Sequence, residues 1–190
     1  MRLLKDKILK EGIALNREVL KVDSFLNHQI DPILMKKIGE EFSDYFKNYN
    51  IDKIVTIETS GVVPAVFVAL NLNVPLVFAK KSLPGTLREG FYSEKVFSFT
   101  KNKTYDCIVS KKFINSNENI LIIDDFLAHG NAALALSKII EKAEAKVSGI
   151  GIVIEKGFQQ GRSILEERGY EIFSLARIEK MDKGEIVFFD

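Results

Sequence analysis

Tryptophan is missing from this chain, and cysteine, histidine and proline are scarce: one, two and four residues in 190. A single cysteine, Cys107, excludes an internal disulfide and a multi-cysteine metal site. It reads as an apolar strand residue. His28 and His129 alone cannot build a His-rich zinc centre. No run approaches the ~18 consecutive apolar residues that span a bilayer. The N-terminus, MRLLKDKILKEGIAL, is interrupted by charges and has no apolar core of a signal peptide, so the protein is expected to be cytoplasmic. An excess of charge of one sign is also missing: 27 Lys and Arg face 26 Asp and Glu, a net +1. That balance gives no general pull toward nucleic acid or membrane and favours a small-molecule partner. Walker A, G-x-G-x-x-G, G-x-S-x-G and H-E-x-x-H motifs are all absent.

Apolar residues are plentiful at 46%, enough for a full core. With no internal repeat, low-complexity tract or linker, residues 1–190 read as a single domain. Residues 2–11 predict a short helix with Leu3, Leu4, Ile8 and Leu9 on one face. Glu18 to Val22 reads as a short strand and Ser24 to His28 as a loop. Asp31-Pro32 is a helix start, an N-cap acid followed by Pro at the first helical position. Ile33, Leu34, Ile38, Phe42, Tyr45, Phe46 and Tyr49 continue at helical spacing.

A strand (Lys53 to Ile57), a helix (Val62 to Asn71) and a buried strand (Val74 to Ala79) follow. This alternation implies a parallel sheet with crossover helices. Lys80 to Tyr92 reads as a long loop containing Pro84-Gly85. Val96 to Thr100 and Tyr105 to Ser110 read as an inserted β-hairpin. Residues 82–106 would thus form a lid. The alternation resumes with a strand from Ile120, a helix over 131–144, a strand over 147–155, a helix over 158–168 and a strand over 170–178. Glu185 to Phe189 reads as an edge strand.

The most informative block is Asn119 to Ala135, NILIIDDFLAHGNAALA. A buried strand delivers Asp124 and Asp125, then a loop of small residues leads into a helix. In an open α/β sheet ligands sit beyond the carboxyl ends of strands. Small side chains let an anion approach the backbone, and Gly130 permits positive φ. The acid pair suits hydroxyls or a hard cation such as Mg²⁺. Both demands at one locus indicate a sugar phosphate. Successive strand residues face opposite sides, so the strand is expected to end at the acids if both serve one ligand.

Three further loops follow strand ends. Glu58-Thr59-Ser60-Gly61 forms a turn into a helix, a second anion site. Lys80-Lys81 is a cation pair. Glu155-Lys156-Gly157-Phe158 offers a cation for an oxo group and a ring for stacking. These loops begin after residues 57, 79, 123 and 154, and their convergence at one sheet edge would build an active site.

DDFLAHGNAA resembles the donor-binding signature of the type I phosphoribosyltransferases, and its form is similar to the xanthine-using branch of that family. The wider family carries Thr or Ser and Thr-Gly steps where this chain has Ala128, Ala132 and Gly130. The resemblance implies a mainly parallel sheet flanked by helices, an inserted flexible loop, and a small hood from about 1–30 and 178–190. It implies phosphoribosyl transfer from phosphoribosyl pyrophosphate to xanthine, with Mg²⁺ carried by the donor's pyrophosphate and ribose hydroxyls rather than by protein ligands. By resemblance, Asp124 and Asp125 hold the ribose hydroxyls. Ala128, His129, Gly130, Asn131 and Ala132 hold the 5′-phosphate, His129 through its backbone. Thr59, Ser60, Gly61 and Lys81 serve the pyrophosphate. Leu20, Asn27, Lys156 and Phe158 serve the purine. A homodimer is implied as well. The alternatives are transfer to adenine, hypoxanthine or guanine, and a regulator that senses the donor. The balanced charge and the short segment before Asp31 argue against the regulator.

Overall fold

A computed structural model describes residues 1–83, 89–98 and 102–189. Helix α1 (Arg2–Glu11) buries Leu4 and Ile8. Leu3 and Leu9, expected on the same face, are exposed at 50% and 56%, because α1 meets the body along a narrow stripe. Strands β1 (Ile13–Ala14) and β2 (Leu20–Lys21) form a two-residue antiparallel ladder. The strand expected over 18–22 is shorter because the Asn16 side chain accepts from Glu18 N and Val19 N and turns the chain there. Asp23–Asn27 winds into one π-helical turn where a loop over Ser24 to His28 was expected.

Helix α2 (Pro32–Phe46) starts where the sequence indicates. Asp31 Oδ1 accepts from Ile33 N and Leu34 N, each at 3.1 Å, and Lys7 Nζ pairs with Asp31 at 3.0 Å. A capping carboxylate satisfies helix donors that have no partner within the helix.

The central sheet is built from β3 (Lys53–Ile57), β4 (Leu76–Ala79), β7 (Asn119–Leu127), β8 (Lys146–Lys156), β9 (Ile172–Asp182) and β10 (Glu185–Phe188), in the order β10-β9-β8-β7-β3-β4. All neighbours are parallel except β10, which folds back on β9. Strand β4, expected to be buried, is the outer strand, and Phe78 is 41% exposed. Helices α3 (Val62–Leu72), α4 (Asn131–Lys142) and α5 (Gly161–Glu166) make the crossovers. Helix α5 is much shorter than the expected 158–168, because residues 157–160 are spent on a turn.

The hairpin is β5 (Phe91–Ser98) and β6 (Lys103–Ser110), paired from Phe91↔Ser110 to Ser98↔Lys103. Its first arm begins five residues earlier than the sequence indicated. Pro84-Gly85 and Thr100, part of the expected loop and lid, lie outside the described residues.

Alternation along β7 sorts the core into two layers. Leu121 and Ile123 pack with α1, α2 and α3, through Ile8, Phe42 and Val68 among others. Ile120 and Ile122 pack with α4, α5 and the hairpin, through Leu136, Leu165 and Val96 among others. Each fully buried Ile or Leu is worth ~1.5–3 kcal/mol, so the two layers fix the register that carries the acid pair to the sheet edge. The N-terminal segment also meets β9 and the turn that follows it. The Met1 ammonium donates to Leu175 O at 2.6 Å, Gly184 N donates to Ala14 O at 3.1 Å, and Arg17 Nε lies 3.1 Å from Asp182.

Candidate active site

Strand β7 does not end at the acids, contrary to the sequence expectation. It stays paired to β8 through Asp124↔Ile152 and Leu127↔Glu155. What ends is the pairing on its other edge: β3 and β7 part after Val55↔Ile122. The two strands splay there, and the start of α3 fills the gap. A Cβ at Gly61 would stand 2.8 Å from Asp124 Oδ1. An acid inside a strand therefore reaches the loop after β3 because one edge of that strand is open.

Asp124 is buried and Asp125 partly so; Asp125 N donates to Asp124 Oδ1 at 3.0 Å. Burial pushes the Asp124 carboxyl well above its usual range, and the neighbouring Asp125 charge adds to this. Burial also raises Asp125. The Lys81 cation partly offsets both shifts. A ligand that brings positive charge or hydroxyl donors would recover the cost of keeping these acids ionised.

The loop after β3 is organised by Glu58, its first residue, to which the sequence reading gave no separate role. Its N–H donates to Ala79 O at 3.1 Å, and its carboxylate accepts from Lys81 N at 2.6 Å and lies 3.5 Å from Lys80 Nζ. The Glu58–Thr59 peptide is cis. Thr59, Ser60 and Gly61 then lead into α3, beside Lys81. Lys81 Nζ lies 5.3 Å from the Tyr105 ring centroid, on the side of the acids, while Lys80 Nζ lies over Phe78 on the outer strand.

Between β7 and α4, Ala128 to Ala132 line a cleft of about 160 Å³ roofed by Val96, Phe97 and Tyr105 of the hairpin. Gly130 takes φ +80° and ψ 0°, the left-handed region where glycine alone is unstrained. Gly161 braces the loop from below: its N–H donates to Ala128 O at 3.0 Å, and a Cβ there would lie 2.4 Å from that oxygen. Sequence reading placed Gly161 inside a helix; the signal for its role was a glycine early in an otherwise polar segment. The Asn131 side chain donates to Phe97 O at 2.9 Å, so it ties the hairpin to the loop. His129, expected to be solvated, is half-buried, since it stands between this cleft and a second one.

That second cleft, about 400 Å³, is lined by Arg17, Glu18, His129, Phe158, Gln159 and Gln160. Lys156 Nζ donates to Glu18 O and lies 5.6 Å from the Phe126 ring centroid. Burial lowers the Lys156 pKa, against the pull of the Glu18 carboxylate. Leu20 is buried two residues further on, Asn27 sits at the exposed end of the π-helical turn, and Phe158 is 41% exposed. Lys156 and Phe158 are thus brought to the same N-terminal segment, Lys156 beside Glu18 and Phe158 across the cleft from it.

Behind Lys156, the buried Glu155 carboxylate accepts from Arg162 Nε (2.9 Å) and Nη2 (2.6 Å), Ser174 Oγ (2.5 Å) and Arg177 Nε (2.8 Å). Burial would raise its pKa, but Arg162, Ser174 and Arg177 together hold it below the usual value.

Comparison with known proteins follows the same lines. A sequence model of the phosphoribosyl transferase domain matches residues 22–187. The chain is 55% identical over 188 residues to a xanthine phosphoribosyltransferase of Clostridium acetobutylicum, covering 99% of this chain and 100% of that one. It is 54% identical over 186 residues to a xanthine phosphoribosyltransferase of Clostridium botulinum, 98% of each. In fold it is similar to the adenine phosphoribosyltransferase of Trypanosoma brucei, solved with AMP, pyrophosphate and ribose-5-phosphate. The TM-score is 0.77 at 18% identity, over 92% of this chain and 79% of that one.

Proposed function

The chain belongs to the phosphoribosyl transferase family, and we propose that it transfers the 5-phosphoribosyl group of phosphoribosyl pyrophosphate to N9 of xanthine, a purine-salvage reaction. The products are xanthosine 5′-phosphate and diphosphate. The observation that carries the residue roles is the Asp124–Asp125 pair, Asp124 buried and Asp125 partly so, near Lys81 and leading into the 128–132 loop.

Asp124 and Asp125 accept from the ribose hydroxyls and orient the sugar. As the diphosphate departs, positive charge grows at the anomeric carbon, and the nearby carboxylates favour it. Backbone N–H groups of Ala128 to Ala132 hold the 5′-phosphate at the start of α4. Lys81, with Thr59, Ser60 and Gly61, receives the diphosphate. Lys156 donates to an oxo group of the purine, Asn27 reads its edge, Leu20 packs against it and Phe158 stacks on the ring. Catalysis rests on positioning and charge, with no covalent intermediate.

No cluster of three or more His, Cys, Asp or Glu suited to a metal occurs among the described residues. The donor's own diphosphate and ribose oxygens would hold Mg²⁺, and the nearby carboxylates favour a cation there without serving as its ligands. Mg²⁺ fits as a cation carried by the donor, and when bound it neutralises the departing diphosphate.

A hood from about residues 1–30 and 178–190 covers the base within the single domain 1–190. The protein acts in the cytoplasm, where the buried Cys107 thiol stays reduced. It is a homodimer: Val66 and Leu70, one turn apart on α3, are 47% and 72% exposed and offer an apolar face for a second copy. Sedimentation at micromolar concentration tests the dimer.

A steady-state assay with Mg²⁺, donor and each of xanthine, hypoxanthine, guanine and adenine tests the activity. Xanthine should give the highest kcat/KM. No nucleotide from any base, with folded protein that binds the donor, would leave the regulator reading.

A further inference from the structure

Thr56, on β3, is fully buried, and its hydroxyl has no hydrogen-bond partner. Buried polar groups are almost always paired, so an orphaned hydroxyl asks for an explanation. Its position supplies one. A Cβ at Gly61 would stand 2.4 Å from Thr56 Oγ1 and 2.8 Å from Asp124 Oδ1. Both oxygens therefore converge on one point, kept open because residue 61 has no side chain.

We propose that Thr56 is a positioning residue for Asp124. Once the donor is bound, its hydroxyl donates to the Asp124 carboxylate and holds it in line with the ribose hydroxyls. The proposal rests on the reading of Asp124 as a ribose-binding acid.

The groups facing Asp124 leave a role for such a donor. Asp125, next on β7, opposes ionisation and Lys81, after β4, favours it. From β6, Tyr105 and Cys107 also face Asp124; burial pushes each up to about 12, so both are neutral at working pH. A threonine hydroxyl adds a neutral donor without a further charge, and donation to the ionised form lowers a carboxyl pKa. If Thr56 were only a β-branched filler, valine would replace it without kinetic effect.

The test compares wild type, Thr56→Val, Thr56→Ser and Asp124→Asn. It follows kcat against pH at saturating donor and xanthine, which reports groups in the complex. Thr56→Val should lower kcat at neutral pH by about tenfold and move the acid limb up by roughly half to one pH unit. KM for xanthine should stay unchanged, and Thr56→Ser should restore both rate and limb. A wild-type limb and rate in Thr56→Val would overturn the proposal, as would a serine variant that behaves like valine. Should Thr56→Val not fold, Thr56→Ala takes its place with the same two outcomes. Asp124→Asn separates the failures: if it keeps wild-type turnover, the ribose-binding reading falls. If it is inactive while Thr56→Val matches wild type, only the role of Thr56 falls.

Discussion

The Lys156 ammonium donates to the backbone carbonyl of Glu18, and so joins the end of β8 to the N-terminal segment. Burial lowers its pKa, and it lies over the Phe126 ring, 5.6 Å from the centroid. A base with an oxo group would take over one of its N–H donors. Lys156→Met should raise KM for xanthine by ~10–100-fold, the worth of a charge-assisted hydrogen bond, and change KM for the donor far less. Steady-state kinetics with each substrate varied in turn checks it; equal effects on both substrates would remove Lys156 from the base site.

Asp124 and Asp125 are raised by burial, so folding works against their ionised forms. For an acid whose folded pKa exceeds its unfolded value, the penalty is absent below the unfolded value and grows as pH rises to the folded one. Asp124→Asn with Asp125→Asn should cut turnover by at least ~100-fold. It should also raise the thermal midpoint at pH 7, with the gain shrinking toward pH 4. Turnover and scanning calorimetry at both pH values check it. A double variant less stable than wild type at pH 7 would contradict the electrostatic account.

Gly130→Ala places a side chain at φ +80°, 3.1 Å from Gly161 Cα. It should cost ~1 kcal/mol or more in urea unfolding and weaken donor binding by about tenfold, the equivalent of a similar energy. Calorimetric titration with the donor separates the two effects.

Glu155 is buried and held by Arg162, Ser174 and Arg177, with its pKa below the usual value despite burial. Removing its charge strips the partly exposed Arg162 and Arg177 of their shared partner, so Glu155→Gln should lose ~2 kcal/mol at neutral pH, the worth of hydrogen bonds to a charged group. A carboxyl with a depressed folded pKa contributes stability above its unfolded value, about 4.3, and loses it as pH falls through the folded one. The gap between wild type and Glu155→Gln should therefore narrow below pH 4, as urea midpoints would show.

Much of the fold was legible in local chemistry. Asp31-Pro32 announced α2 because a cap and a proline act within one turn. Strand β7 announced itself as an unbroken apolar run, Ile120 to Ile123, and the alternation of strands and helices implied parallel order. Other readings failed where distant segments decide. Asn16 shortens β2, and the close crossing of Gly130 and Gly161 accompanies a shorter α5 than the expected 158–168.

The sequence by itself determined the residue types of the site: two acids in the C-terminal half of β7, a small-residue loop after it, and lysines at the ends of β4 and β8. Strand-end chemistry is written in neighbouring residues, so spacing alone reveals it. Tertiary structure decided how those residues meet. It left one edge of β7 open so that a strand acid reaches Gly61, and it set Glu58 against Lys80 and Lys81. It also set Thr56 and Asp124 against Gly61 and brought Lys156 to Glu18, 138 residues away in the chain. Contacts across such separations depend on which faces the two core layers bury, and no local window of sequence holds that information.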